Sequence, residues 1–396
     1  DSSPAIQAAL DSAFSQGGGV VYIPEGVYTC KSSIEIPQGV TLRGEWLSPD
    51  DAVPASCGTV LSVETGNISE NPDAFIKLNV GAGVRNLTVI YPDYAEGVFD
   101  RYSPAIAQKL AGTNDSFNVM NVTVLGGSVG FDGSDGWSEL HYLKNIYFSC
   151  FDAAVKLNNV TDTGRMQNIN ISPEYLIDNG LYKVSAAAAD KIREYAYGNS
   201  TGLYIQRSDW EYVYELNISG LKSGIVFDKY IDTEDNNRVR GSNGQFFGVN
   251  ITDCATAVDC AYTNAIGYAF TDVSISAADG GYGIRFGSEF MAHFEISDMK
   301  ITGNIANPVY SESRNNGKIT ITNSVFDLSG SENYDVDIEG GSISLQQCSF
   351  LKDGGNIYLS GDIGAASVLG CTFEHGASIK HPSGMQDKIE IDFTPL

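Results

Sequence analysis

A four-residue phrase, polar-apolar-polar-apolar, recurs along the chain and constrains its fold more than any other feature. Asn86-Leu87-Thr88-Val89 returns as Asn121-Val122-Thr123-Val124, Asn145-Ile146-Tyr147-Phe148 and Asn168-Ile169-Asn170-Ile171. It continues as Glu215-Leu216-Asn217-Ile218, Gly248-Val249-Asn250-Ile251, Asp272-Val273-Ser274-Ile275 and Asp298-Met299-Lys300-Ile301. Asn323-Ser324-Val325-Phe326, Gln347-Cys348-Ser349-Phe350 and Gly370-Cys371-Thr372-Phe373 complete the series. Successive starts lie 35, 24, 23, 47, 33, 24, 26, 25, 24 and 23 residues apart. A short strand cannot bury its apolar side alone. Repeated at a period in the twenties, it stacks on its neighbours as a parallel β-solenoid. Residues at one repeat position then become neighbours, about 4.8 Å apart from coil to coil.

The repeat overrides the usual length prior, so the 396 residues are expected to form one elongated array instead of two or three compact domains. Glycine (43) far outnumbers proline (12), which suits tight turns between short strands. The formal net charge of −25 repels nucleic acid and anionic membranes, and neither is expected as a partner. No stretch reaches the length of a membrane-spanning helix. The chain opens mid-motif at Asp1-Ser2-Ser3-Pro4 without a leader, and a mature, secreted form is expected. Seven cysteines form no CxxC pair and no metal spacing. Cys348 and Cys371 share an inward repeat position and read as core residues; Cys30–Cys57 and Cys254–Cys260 are conceivable bridges. The Asn-x-Ser/Thr triplets at Asn86, Asn121, Asn217 and Asn250 fall inside the phrase and read as ladder asparagines, not glycosylation acceptors.

Residues 4–16 carry apolar side chains at helical spacing, with proline in the first turn and Gly17-Gly18-Gly19 as the stop. Residues 1–19 are therefore read as a cap on the solenoid's open end. Residues 173–201 form an insertion with a helix around 184–195. Residues 202–244 are a site-bearing coil and a charged loop, and 245–396 are mainly scaffold coils.

The opening motifs Ser3-Pro4-Ala5-Ile6-Gln7-Ala8-Ala9-Leu10-Asp11, Gly17-Gly18-Gly19-Val20-Val21-Tyr22-Ile23-Pro24-Glu25-Gly26-Val27-Tyr28 and Val40-Thr41-Leu42-Arg43-Gly44-Glu45 carry a resemblance. They resemble the start of pectate-lyase-superfamily, or glycosyl-hydrolase-family-28-related, right-handed parallel β-helix proteins. The resemblance implies a single-stranded right-handed β-helix, all-β apart from its cap helix and helical insertion. It also implies a carbohydrate partner. It does not select a reaction, because that superfamily hosts hydrolases, lyases, epimerases and tailspike depolymerases. The clustered aspartates, Gly-His-Gly and Arg-x-Lys of family 28 polygalacturonases are missing, so their catalytic assignment does not transfer.

Indexing by phrase start brings acidic residues together. Six residues before a start stand Glu139, Asp162 and Asp209; four before stand His141, Gly164 and Glu211; eight before stand Trp137, Val160, Arg207 and Arg240. Strict two-residue alternation would put Asp209 and Glu211 on one face. A carboxylate patch of Asp209, Glu211, Asp162 and Glu139 is thereby the expected catalytic site. Trp137, His141, Arg207, Trp210, Asp228, Arg238 and Arg240 are expected to hold substrate. Paired carboxylates at these separations suit glycoside hydrolysis without a required cofactor. Asp228, Asp232, Glu234 and Asp235 offer oxygen ligands, so Ca²⁺ is a possible addition. His293, at an inward-parity position, reads as a packed histidine.

Three functions compete at this level. The first is a secreted glycoside hydrolase acting on a polysaccharide or oligosaccharide. The second is a Ca-dependent polysaccharide lyase or uronate epimerase, with Arg207, Arg238 and Arg240 central. The third is a glycan-binding tailspike or adhesin. Monomer and homotrimer both remain open.

Overall fold

The computed structural model describes residues 1–51, 58–64, 73–92, 94, 99, 102–109, 114–329 and 333–393. The first residue of every phrase is a corner. All eleven starts have φ between 50° and 69°, the left-handed region where a Cβ crowds the following carbonyl. Nine of the eleven are Asn, Asp or Gly, the residues that tolerate this conformation most cheaply. The polar residue is therefore not the first member of a strand. It bends one long strand into a leading and a trailing face, and a separate short strand closes each coil as a third face.

The chain divides into two compact units, Asp1–Tyr204 and Ile205–Leu396. In the first, bent strands Gly83–Ile90, Asn118–Leu125, Tyr142–Ser149 and Gly164–Ile171 stack in parallel register. Leu87, Val122, Ile146 and Ile169 are aligned coil on coil and fully buried. Replacing one by alanine would cost about 2–5 kcal/mol. At the corners Asn121 Nδ2 donates to Asn86 Oδ1 (2.8 Å), Asn145 to Asn121 (2.7 Å) and Asn168 to Asn145 (3.1 Å). Asn86 and Asn121 are thus ladder residues. The third face comprises Ile34–Ile36, Ile76–Leu78, Ile106–Gln108, Val129–Gly133 and Ala153–Leu157.

Helix α1 (Ser3–Ser15) has proline in its first turn and buries Ile6 and Leu10 against the opening strands. The insertion supplies helices α2 (Glu174–Ile177) and α3 (Ala186–Asn199). Ser185 caps α3, its Oγ accepting from the Ala188 N–H, and Arg193 clasps Glu174 through two 2.7 Å bonds. Leu176 and Ile192 pack on Ile90, Leu125 and Phe151. The cover explains why Ile90 and Leu125 remain apolar on the outer side of their strands.

In the second unit, Ser208–Ser219, Ser242–Thr252, Tyr268–Ser276 and His293–Gly303 repeat the bent-strand pattern. Its third face runs from Ser223–Phe227 to Ile379–Lys380. The core is aromatic: Phe227, Phe246, Phe270 and Phe294 are buried and in mutual ring contact. Two sequence expectations are corrected here. The charged segment after Asp228 is not a loop but an antiparallel hairpin, Tyr230–Asp232 with Arg238–Arg240. Cys254 and Cys260 are buried free thiols, not a bridge. Cys57 lies outside the described residues.

Candidate functional site

Strand Ser208–Ser219 does not keep strict alternation. Ser208 pairs with Ser242 but Glu211 pairs with Gly244, so one extra residue is accommodated between them. This β-bulge holds Trp210 at φ 65° and leaves both Ser208 and Glu211 facing inward. Glu211 is fully buried, and Ser208 Oγ donates to its Oε1 at 2.5 Å. The expected placement of Glu211 beside Asp209 on one outer face is therefore corrected. Asp209 stays at the surface, 3.9 Å from the guanidinium of Arg207.

Arg207 is itself largely buried, and desolvation pulls its pKa below the ordinary arginine value, with Arg240 adding to the effect and Asp209 opposing it. The hairpin is internally paired. Arg240 donates to Asp232 and to Asp235, both at 2.9 Å, and Arg238 lies 3.7 Å from Asp235. Desolvation would raise the Asp232 carboxyl, but the Asp235 N–H and the Arg240 guanidinium reverse this and hold it below the aspartate norm. Asp232 and Asp235 thus have guanidinium partners within the hairpin. Among the described residues no set of three or more Asp, Glu, His or Cys side chains is arranged to hold a metal. Asp228 accepts from the Lys229 N–H, and Lys229 in turn pairs with Glu289.

In the first unit, Glu139 accepts from Thr161 Oγ1 at 2.6 Å. Ser138 is bridged to Val160 while Tyr142 pairs with Arg165, so the upper coil holds one more residue in this interval. Asp162 is consequently out of step with Glu139. Its Oδ1 accepts from the Thr163 N–H and hydroxyl in its own turn. His141 is fully buried and stacked on Phe117 at 6.0 Å, so it offers no side chain to a ligand at the surface. His293 is the converse: half-exposed and 3.8 Å from Glu295. Trp137 is exposed.

Phrase indexing overlooked a cleft on the third face of the first unit. Lys77, Ala107, Asp132 and Lys156 occupy matching positions on successive strands. The small Ala107 leaves depth in a cleft of about 630 Å³ walled by Tyr102, Gln108, Lys109 and Asp135. Asp132 Oδ1 accepts from the Ser134 N–H at 3.0 Å and from its hydroxyl at 2.5 Å. Buried Gln108 donates through Nε2 to the Asp135 carbonyl, fixing the turn that carries this second acid. Partial desolvation pushes the Asp135 carboxyl above the ordinary aspartate pKa, and the neighbouring Asp132 adds to it. Lys77 and Lys156 are paired with Asp73 and Asp152 on the rim. The sequence signal was present in Phe131-Asp132-Gly133-Ser134-Asp135-Gly136, two acids on a Gly-bounded turn at the end of a strand. Trp137 follows two residues after Asp135.

No curated protein sequence matches the chain. Among solved structures, a double mutant of the tailspike protein of E. coli bacteriophage HK620 aligns with TM-score 0.59 at 12% identity, covering 99% of this chain and 77% of the other. The catalytic domain of a GH87 α-1,3-glucanase in complex with nigerose aligns with TM-score 0.56 at 12% identity, covering 98% and 66%. A mutant of the same tailspike in complex with a pentasaccharide gives TM-score 0.56 at 12% identity, covering 99% and 75%. At such identities these likenesses establish the fold, a right-handed parallel β-helix. A family model described as rhamnogalacturonase A/epimerase, pectate lyase-like, matches residues 1–226, more than half of the chain. This protein belongs to the rhamnogalacturonase A/epimerase, pectate lyase-like family.

Proposed function

We propose that the protein is a glycoside hydrolase acting on a polysaccharide, with Asp135 as general acid and Asp132 as base or nucleophile. The observation that carries this reading is two carboxylates in one cleft, one of them pushed toward its protonated form. A raised acid donates a proton to the leaving glycosidic oxygen, and the second carboxylate attacks the anomeric carbon or activates water there. Tyr102 and Trp137 offer rings for sugar stacking, and Gln108 sets the geometry of the turn. Family membership and the carbohydrate ligands of the aligned glucanase and tailspike support glycan as the substrate class. Secretion, where a polysaccharide substrate is met outside the cell, goes with the proposal. The test is a polysaccharide panel with products weighed by mass spectrometry, run with and without chelator. Products that gain one water per cut, unaffected by chelator, support hydrolysis.

A specific observation favours a second reading. Arg207 lies 3.9 Å from Asp209, and Arg240 acts on Arg207 from the hairpin. A uronate carboxylate exchanging with Asp232 and Asp235 is neutralised by the two guanidinium groups while Asp209 removes the adjacent proton. The electron pair left behind either expels the neighbouring glycosidic oxygen or is reprotonated from the opposite face. Asp209, Arg207, Arg238 and Arg240 would then form a lyase or epimerase site. Ultraviolet absorbance from an unsaturated product, lost in Asp209→Asn, would select this reading over hydrolysis.

A further inference from the structure

The second unit has an outer feature that core packing does not require. Trp210 in the bulge and Tyr212 and Tyr214 beyond it all point outward from strand Ser208–Ser219, and Phe247 joins them from the next coil. Trp210 and Tyr212 are stacked, with centroids 6.2 Å apart and planes 14° apart; Tyr214 and Phe247 are stacked at 4.9 Å and 22°. Their exposures are 38, 41, 50 and 41%. Trp210 is also held at φ 65°, a conformation unfavourable for a bulky side chain. Strained, bulky and exposed residues together point to use.

We infer that this aromatic row is a second, non-catalytic glycan-holding surface that takes an uncharged polysaccharide chain. The inference rests on the glycan reading above, though not on the catalytic assignment of Asp132 and Asp135. Side chains two apart on a strand repeat every ~6.5–7 Å, so the row presents exposed aromatic groups in series, as a sugar chain presents its rings in series. The positions beside it in register, Gln245, Ala269 and Thr271, carry no charge. Asp209 and Glu215 bracket it in sequence, and their carboxylates can accept hydrogen bonds from sugar hydroxyls. Glu215 at the far end of the row, in a protein of net charge −25, disfavours a polyanion.

A second copy of the chain fits the row less well. Four aromatic side chains of ~150–250 Å² each, exposed to this degree, offer on the order of 300–400 Å², about half of the ~800 Å² per partner typical of a stable interface. A ligand one sugar chain wide matches that area.

The test is native gel retardation by soluble dextran, laminarin or polygalacturonate, on the full chain. At least one of the two neutral polymers should retard the wild type, and polygalacturonate should not. Trp210→Ala with Tyr214→Ala should weaken the retardation at least ten-fold, and the milder Phe247→Thr, which installs the residue type found at Thr271, should weaken it several-fold with the fold checked by circular dichroism. Asp132→Asn should be retarded like the wild type, which separates holding from cleavage. Three results would overturn the inference: no retardation by either neutral polymer, retardation undiminished in both aromatic variants, or a dimer in sedimentation that these variants dissolve. None of them would bear on turnover at the cleft.

Discussion

Asn121 performs two tasks at one corner. It sits at φ 54°, and its side chain donates to Asn86 while accepting from Asn145. Alanine there would lose two hydrogen bonds of about 1 kcal/mol each and bear in full the left-handed cost of about 1–2 kcal/mol, which asparagine offsets in part by local hydrogen bonding. Asn121→Ala should therefore destabilise by roughly 2–4 kcal/mol in denaturant titration. Asn121→Gly, which loses the bonds but tolerates the dihedral, should cost measurably less. Equal costs would show that the corner conformation contributes nothing.

A second residue-scale prediction concerns pH. Asp337 sits between Tyr310 and Tyr358 on the third face of the second unit. Desolvation, with Glu339 assisting, raises its carboxyl from 3.8 to about 6. A raised folded-state value means that its stabilising contribution is complete below the unfolded value and is lost as pH rises from about 4 through about 6. Asp337→Asn should thus raise the Tm at pH 7.5 and change it little at pH 3. An equal shift at both pH values would contradict the assignment.

At the scale of elements, two single-residue irregularities decide where the acids go. Gly244 lies against the bulge of the neighbouring strand, and a Cβ there would run into the Glu211 backbone. Gly244→Ala should cost about 1–3 kcal/mol and shift the fluorescence of Trp210; an unaltered spectrum and Tm would mean that the bulge does not depend on this close approach. The same irregularities mark the limit of what was legible in the sequence. The phrase revealed the solenoid and the Asn ladder, because inward apolar residues and polar corners leave strong periodic signals; helical spacing and propensity revealed the helices of the cap and the insertion. Its period could not reveal that an extra residue near Trp210 turns Glu211 inward, or that another shifts Asp162 past Glu139. Nor did counting back from the corner reach the third face, where Asp132 and Asp135 lie.

At the scale of the whole molecule, the chain is a scaffold of stacked coils whose chemistry depends on which outward positions gather into one place. The first unit gathers two carboxylates into a cleft, and the second gathers four aromatic rings on one face. If Asp135 is the general acid, its raised value should place the alkaline limb of the kcat/KM profile above the pKa of an ordinary aspartate, with activity lost as pH rises through it. Everything at the cleft depends on the pairing of Asp132 with Asp135, which turnover of the best panel polysaccharide by Asp132→Asn and Asp135→Asn measures. Hydrolysis by the folded variants should fall by about 10²–10⁴-fold; cleavage at the wild-type rate would rule the pairing out.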